Sequence, residues 1–313
     1  MSSAGKITLH VLGPLELRAE EGHQILSVLH RPRRLALLTY LALESHQGFV
    51  RRTNLLPVFW PESSDSDARA ALRKALYQLR SSLGEDVLVT RETDELRLDP
   101  DRLWCDVVAF EEACSQGHAE RALALWTGEP LVGIDLPEVQ PFEEWREEQR
   151  SRLNRLVTDV SVGLIDQWRS EGRTGDAVTL AREALARSPF DETVLRCLIR
   201  AMDAAGDRAG ALLAYESWVH KLEEELEGEP APETSALVEE VRERTEPQVA
   251  VVGAPRAGQG DGADSSPPTP GPQARQETPV QTEVAAEEPG RAPVPVGPHP
   301  GGWQEGLRRW APW

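Results

Sequence analysis

Apolar residues recur at two different periods along the first 245 residues of this chain, and the change from one to the other marks its predicted elements. Residues 7–29 alternate in short runs broken at Gly13-Pro14 and Glu21-Gly22, which predicts a small antiparallel sheet. From Pro32 the spacing becomes helical, with Leu35, Leu38, Leu41 and Ala42 in phase, proline in a favourable first turn, and Gln47-Gly48 as the stop. Asn54–Trp60 predicts a short helix ended by Pro61, its aromatic pair packing on the helix before it. In Asp65–Leu83, the side chains of Ala68, Leu72, Ala75, Leu76, Leu79 and Leu83 fall into one stripe at 100° per residue. Ser64 or Ser66 supplies the N-cap, Asp67 suits the first turn and Gly84 ends the helix. Residues 87–98, VLVTRETDELRL, then read as a hairpin around Thr93-Asp94-Glu95.

Leu103–Arg244 reads as helical throughout. A small-residue motif recurs at Gly117–Ala122, Gly172–Ala177 and Gly206–Ala211, and the last two copies lie 34 residues apart. That is the period of tetratricopeptide helix pairs. In each copy glycine closes one helix, and the alanine five residues on sits where paired helices must approach closely. Ser188-Pro189-Phe190-Asp191 supplies a turn before the next helix. Stacked pairs of this kind make a concave surface suited to a peptide or another protein. From residue 247 the pattern ends: 13 of the 24 prolines and 10 of the 24 glycines fall in the last 67 residues, which predicts a disordered tail. Trp303, Leu307 and Trp310 would share one face if its end turned helical. The expected architecture is therefore an α+β winged helix-turn-helix of response-regulator type over 1–100, an all-α tetratricopeptide-like domain over 101–246, and a tail over 247–313.

Charge refines this picture. The whole chain carries a formal −18, which argues against indiscriminate nucleic-acid binding. Residues 1–100, however, hold 13 basic and 13 acidic side chains, whereas 101–246 hold 16 and 32. A neutral module with clustered arginines would bind DNA where groove contacts supplement the phosphate attraction, with strong salt dependence. Arg69, Arg73 and Arg80 lie within roughly 40° of one another at one border of the 65–83 stripe, and Lys74, Tyr77 and Ser81 extend that polar surface. Such a helix fits the major groove, and a wing bearing Arg91 and Arg97 reaches the backbone beside it. Arg31, Arg33 and Arg34 at the mouth of the 32–44 helix, with Arg51 and Arg52 ahead of the short helix, are candidate phosphate contacts.

Other chemistries find no motif. Cys105, Cys114 and Cys197 form neither an even set nor a CxxC, so reduced cytosolic thiols are expected rather than disulfides or zinc. The seven histidines include no HExxH, and neither GxxxxGK[ST] nor GxGxxG occurs. No enzyme, metal or cofactor is expected. The start of the chain does not read as a signal peptide, and no stretch approaches the ~20 apolar residues of a membrane span.

Five segments carry a family resemblance: VLGPLELR (11–18), RPRRLALLTYLAL (31–43), ARAALRKALYQLRSSLGED (68–86), LRLDPDRLWCDVVAFEEA (96–113), and above all the run from LAREALARSPFDETVL to PETSALVEEV over 180–241. Covering about three quarters of the chain, in order, they resemble the SARP-type regulators (Streptomyces antibiotic regulatory proteins). In these a winged helix is joined to a bacterial transcriptional activator domain. The resemblance implies a cytoplasmic transcription factor that binds promoter DNA, often as a dimer on direct repeats, and recruits RNA polymerase. It assigns Arg69, Arg73, Lys74 and Arg80 to the recognition helix, and Arg91 and Arg97 to the wing. No ATPase module is read after the helical domain, so the match is to the family's short members, and the helical domain is unusually acidic. A rival reading is a protein-binding scaffold whose winged helix no longer binds DNA.

Overall fold

The stripe of the longest N-terminal helix folds as its spacing demands. The computed structural model describes residues 6–46 and 48–245; the expectations for the tail, including Trp303, Leu307 and Trp310, lie outside the described residues. Strands β1 (Ile7–His10) and β2 (Glu16–Arg18) are followed by the single turn α1 (Leu26–Leu29) and by α2 (Pro32–Glu44). Strand β3 (Val50–Arg51), helix α3 (Arg52–Phe59) and helix α4 (Asp65–Leu83) come next, then the hairpin β4 (Leu88–Arg91) and β5 (Glu95–Leu98). The buried residues of α4 are the six of the predicted stripe. Ser64 caps the helix by accepting the Asp67 N–H at 3.2 Å, and Gly84 ends it at φ +106°. β5 pairs with β4 on one side and β3 on the other, all antiparallel, so the wing is three-stranded. Its turn is Glu92–Asp94, with Glu92 and Thr93 at positive φ, and Glu95 already belongs to the strand.

The N-terminal sheet differs from the sequence reading. Residues 26–29 are helical, and the third strand comes from far along the chain: β6 (Leu103–Cys105) runs parallel to β1. The stretch from 103 is thus not helical from its start. Parallel partners some 95 residues apart share no local signal, and the three residues of β6 are too few to show an alternation of their own. Asp106, 1 % exposed, fixes the join. Its carboxylate accepts the N–H groups of Val11 (2.8 Å), Leu12 (2.9 Å) and Val107 (2.8 Å).

Helices α5 (Asp106–Ser115), α6 (Ala119–Leu125), α7 (Gln140–Ser170), α8 (Thr174–Arg187), α9 (Glu192–Ala204), α10 (Arg208–Leu226) and α11 (Pro232–Thr245) complete the described chain. Residues 126–139 are a second departure. Pro130, Gly133 and Pro137 break the helix there, and the segment lies along β1's extension, Thr127 N–H on Leu12 O and Leu131 N–H on Val11 O. The repeated motif behaves as its spacing predicts. Gly117, Gly172 and Gly206 take φ of +72°, +79° and +83°, the left-handed turn that closes a helix, and Ala122, Ala177 and Ala211 are fully buried. One hydrophobic core runs from Ile7 to Val157 and a second from Leu164 to Val241, with α7 contributing to both. In the first, Phe59 sits between Tyr40 of α2 and Phe142 of α7, ring centroids 5.5 and 5.4 Å away. α3 is thereby wedged between α2 and α7.

Candidate nucleic-acid interface

With its apolar stripe buried, α4 turns the opposite face outward. Arg69, Arg73, Lys74 and Tyr77 are all exposed there, Tyr77 by 70 %. Arg69 holds Asp65 one turn back at 2.9 Å, a surface pair worth ~0–1 kcal/mol that a phosphate readily replaces. Arg73 and Lys74 have no carboxylate partner among the described residues. Arg80 faces the wing instead, donating to Thr90 Oγ1 at 2.8 Å and to the Leu88 carbonyl at 3.3 Å. It therefore sets the angle between helix and wing as well as contributing charge.

Arg52 opens α3 and comes close to Arg73 and Arg80. Burial first, then the repulsion of Arg80 and, more weakly, Arg73 holds its guanidinium below its ordinary pKa, while Asp94 across the wing turn opposes the shift. The Arg52 Nε is buried and makes no hydrogen bond in the structure. Arg80 and Arg73 of α4 thus add positive charge near Arg52 of α3, a cluster that Asp94 opposes. Such a cluster favours an anion.

The wing gathers a second set. Glu95 takes Arg91 at 2.5 Å and lies 3.9 Å from Arg51. Arg91 stacks on the ring of Phe49 at 4.4 Å, and Arg97 lies 5.9 Å from the same ring. Phe49 was not singled out from the sequence. Its signal was an aromatic residue one place before the β3 strand, on a wing whose strands carry three arginines and no other aromatic residue. Arg33 and Arg34 stand apart from both sets, at the mouth of α2, where with Arg31, Lys74 and Trp60 they line a cleft between α2 and α4. Arg34 donates to the Ser27 carbonyl at 3.1 Å. Arg33 is 3.4 Å from Glu138, in the segment before α7.

Comparisons with known proteins bear on the fold and the family. Residues 105–242 match the family model of the bacterial transcriptional activator domain. Regulatory protein AfsR of Streptomyces griseus is 28 % identical over 254 residues, which cover 77 % of this chain and 25 % of that protein. Its counterpart from Streptomyces coelicolor is 30 % identical over 252 residues, 76 % of this chain and 24 % of that protein. The chain thus matches about a quarter of the length of these curated relatives. Among solved structures, that of Mycobacterium tuberculosis EmbR in complex with a low-affinity phosphopeptide superposes with a TM-score of 0.58 at 22 % identity. The match covers 78 % of this chain and 66 % of that one, and it shows a shared fold. A winged helix leading into a bacterial transcriptional activator domain is the class of fold these matches define, and the chain is similar to regulators of the SARP type.

Proposed function

We infer that the chain is a sequence-specific DNA-binding regulator of transcription, acting in the cytoplasm as an activator rather than as an enzyme. The observation that supports this reading is the exposed row of Arg69, Arg73, Lys74 and Tyr77 on a helix whose other face is entirely buried. Arg69, Arg73, Lys74 and Tyr77 would enter the major groove, where each bidentate base contact is worth about 1–3 kcal/mol of discrimination. Arg51, Arg52, Arg91 and Arg97 on the wing side, and Arg33 and Arg34 at the mouth of α2, would hold the phosphates on either flank. The winged helix is assigned to residues 1–100, and the helical domain over 101–246 would meet a second protomer on adjacent half-sites, or RNA polymerase. No cofactor enters this scheme.

Selection of random duplexes with the purified chain tests it. An enriched motif is expected, and Arg73→Ala should weaken binding to it more than tenfold without changing the thermal midpoint. Neutralising about six phosphates per protomer gives a log–log salt slope near −5.4, so affinity should fall by roughly a thousandfold between 50 and 200 mM salt. Recovery of no motif would leave the scaffold reading in its place.

A further inference from the structure

Apart from the cationic faces of α2 and α4, the described surface holds a second feature suited to a ligand, one that shares Arg97 with the wing: a cleft of about 330 Å³ where the wing meets the helical domain. Its floor is apolar, built from Leu98 at the end of β5, Trp104 of β6 and Val108 of α5. Trp104 offers a flat indole face, tilted against the His10 ring at 5.1 Å. Lys6 and Arg97 stand at the edge of the cleft, and neither has a carboxylate partner among the described residues. Glu112 is the one acidic residue lining it. Its neighbour Glu111 is already engaged, 2.5 Å from Arg152 and 3.7 Å from His46. An apolar floor under two uncompensated cations suits a ligand with a flat hydrocarbon body and one negative end, in the size range of small-molecule sites. The planar fork of Arg97 would hold a carboxylate by two parallel N–H bonds.

We propose that this cleft is a binding site for a small aromatic carboxylic acid, its ring on Trp104 and Leu98 and its carboxylate on Arg97 and Lys6. The site uses none of the α4 residues assigned to base contacts. It joins the strand that carries Arg97 to the helical domain, so an occupant would report to the wing.

The test is isothermal titration calorimetry of the full chain with 1-naphthoate and with its neutral analogue 1-naphthalenemethanol. Saturable one-to-one binding of the acid is expected, at least tenfold tighter than that of the alcohol. Arg97→Gln and Lys6→Gln change surface side chains and should fold normally, and Arg97→Gln should abolish the preference for the acid. Val108→Trp, which fills the floor, should weaken both compounds at least tenfold. Naphthoate that fails to saturate at millimolar concentration would overturn the proposal. So would equal binding of acid and alcohol, or a preference that survives Arg97→Gln in a variant with wild-type circular dichroism. No duplex enters these measurements, so their outcome is separate from that of the DNA selection.

Discussion

Asp106, buried in the first module, and Arg52, half-buried at the start of α3, show how differently a charge can be held. Asp106 is almost completely covered, yet three backbone N–H groups, those of Val11, Leu12 and Val107, point at its oxygens. Each buried donor left without an acceptor costs about 1–3 kcal/mol. Asp106→Ala should therefore cost at least about 3 kcal/mol, a large share of a typical net stability. Asp106→Asn, with one acceptor oxygen in place of two, should recover only part of it. Urea unfolding midpoints at constant slope measure both. Arg52 is the opposite case, since burial and the Arg80 and Arg73 charges all disfavour its ionised form, and its Nε lacks an acceptor. Arg52→Gln relieves that repulsion, so its thermal midpoint should hold or rise. Duplex affinity should meanwhile fall severalfold in a filter or anisotropy titration, the signature of a residue kept for binding at the expense of stability.

At the scale of one element, α4 divides its work between adjacent residues. Leu76 is 1 % exposed and Tyr77 70 %. Truncating a buried leucine costs ~2–5 kcal/mol, whereas a surface substitution stays within ~0.5 kcal/mol. Leu76→Ala is expected to lower the melting temperature by many degrees, and Tyr77→Ala to leave it unchanged while weakening duplex binding, as paired melts and titrations would show. The division was legible beforehand because it rests on a 3.6-residue period within one segment. So were the glycine stops at 117, 172 and 206, since an achiral residue followed five places later by alanine is a local signature. The partner of β1 was not. Nothing within residues 7–29 says that Leu103–Cys105 will lie beside them, and the seat of Arg80 on Leu88 and Thr90 of the wing is likewise a product of packing. Arg33 shows the limit from the other side. The sequence marks it as a free cation, and only the fold sets Glu138 beside it.

Across the whole molecule the two hydrophobic cores set the units of cooperativity. The first takes in β1, α2, α3, α4, the wing, α5 and the N-terminal half of α7, and the second α8 to α11 with the rest of α7. Strand β6 and the 126–139 segment tie the helical part of the first core to β1 or its extension through main-chain hydrogen bonds, and Asp106 does so through its carboxylate. A perturbation anywhere in that core should therefore be felt across all of it. Leu38, fully buried in α2, and Phe110, fully buried in α5, lie on opposite sides of the link. Amide hydrogen exchange of the full chain should show Leu38→Ala and Phe110→Ala lowering protection over the same set of residues, from β1 to the first half of α7. Leu198→Ala, in the second core, should loosen α8 to α11 first. If Phe110→Ala instead spared β1 and α2, the winged helix would be a separately cooperative body, and force or ligand binding at the helical domain would have no rigid route to α4. The shared pattern would mean that whatever grips the helical domain also fixes the orientation of the arginine-bearing face.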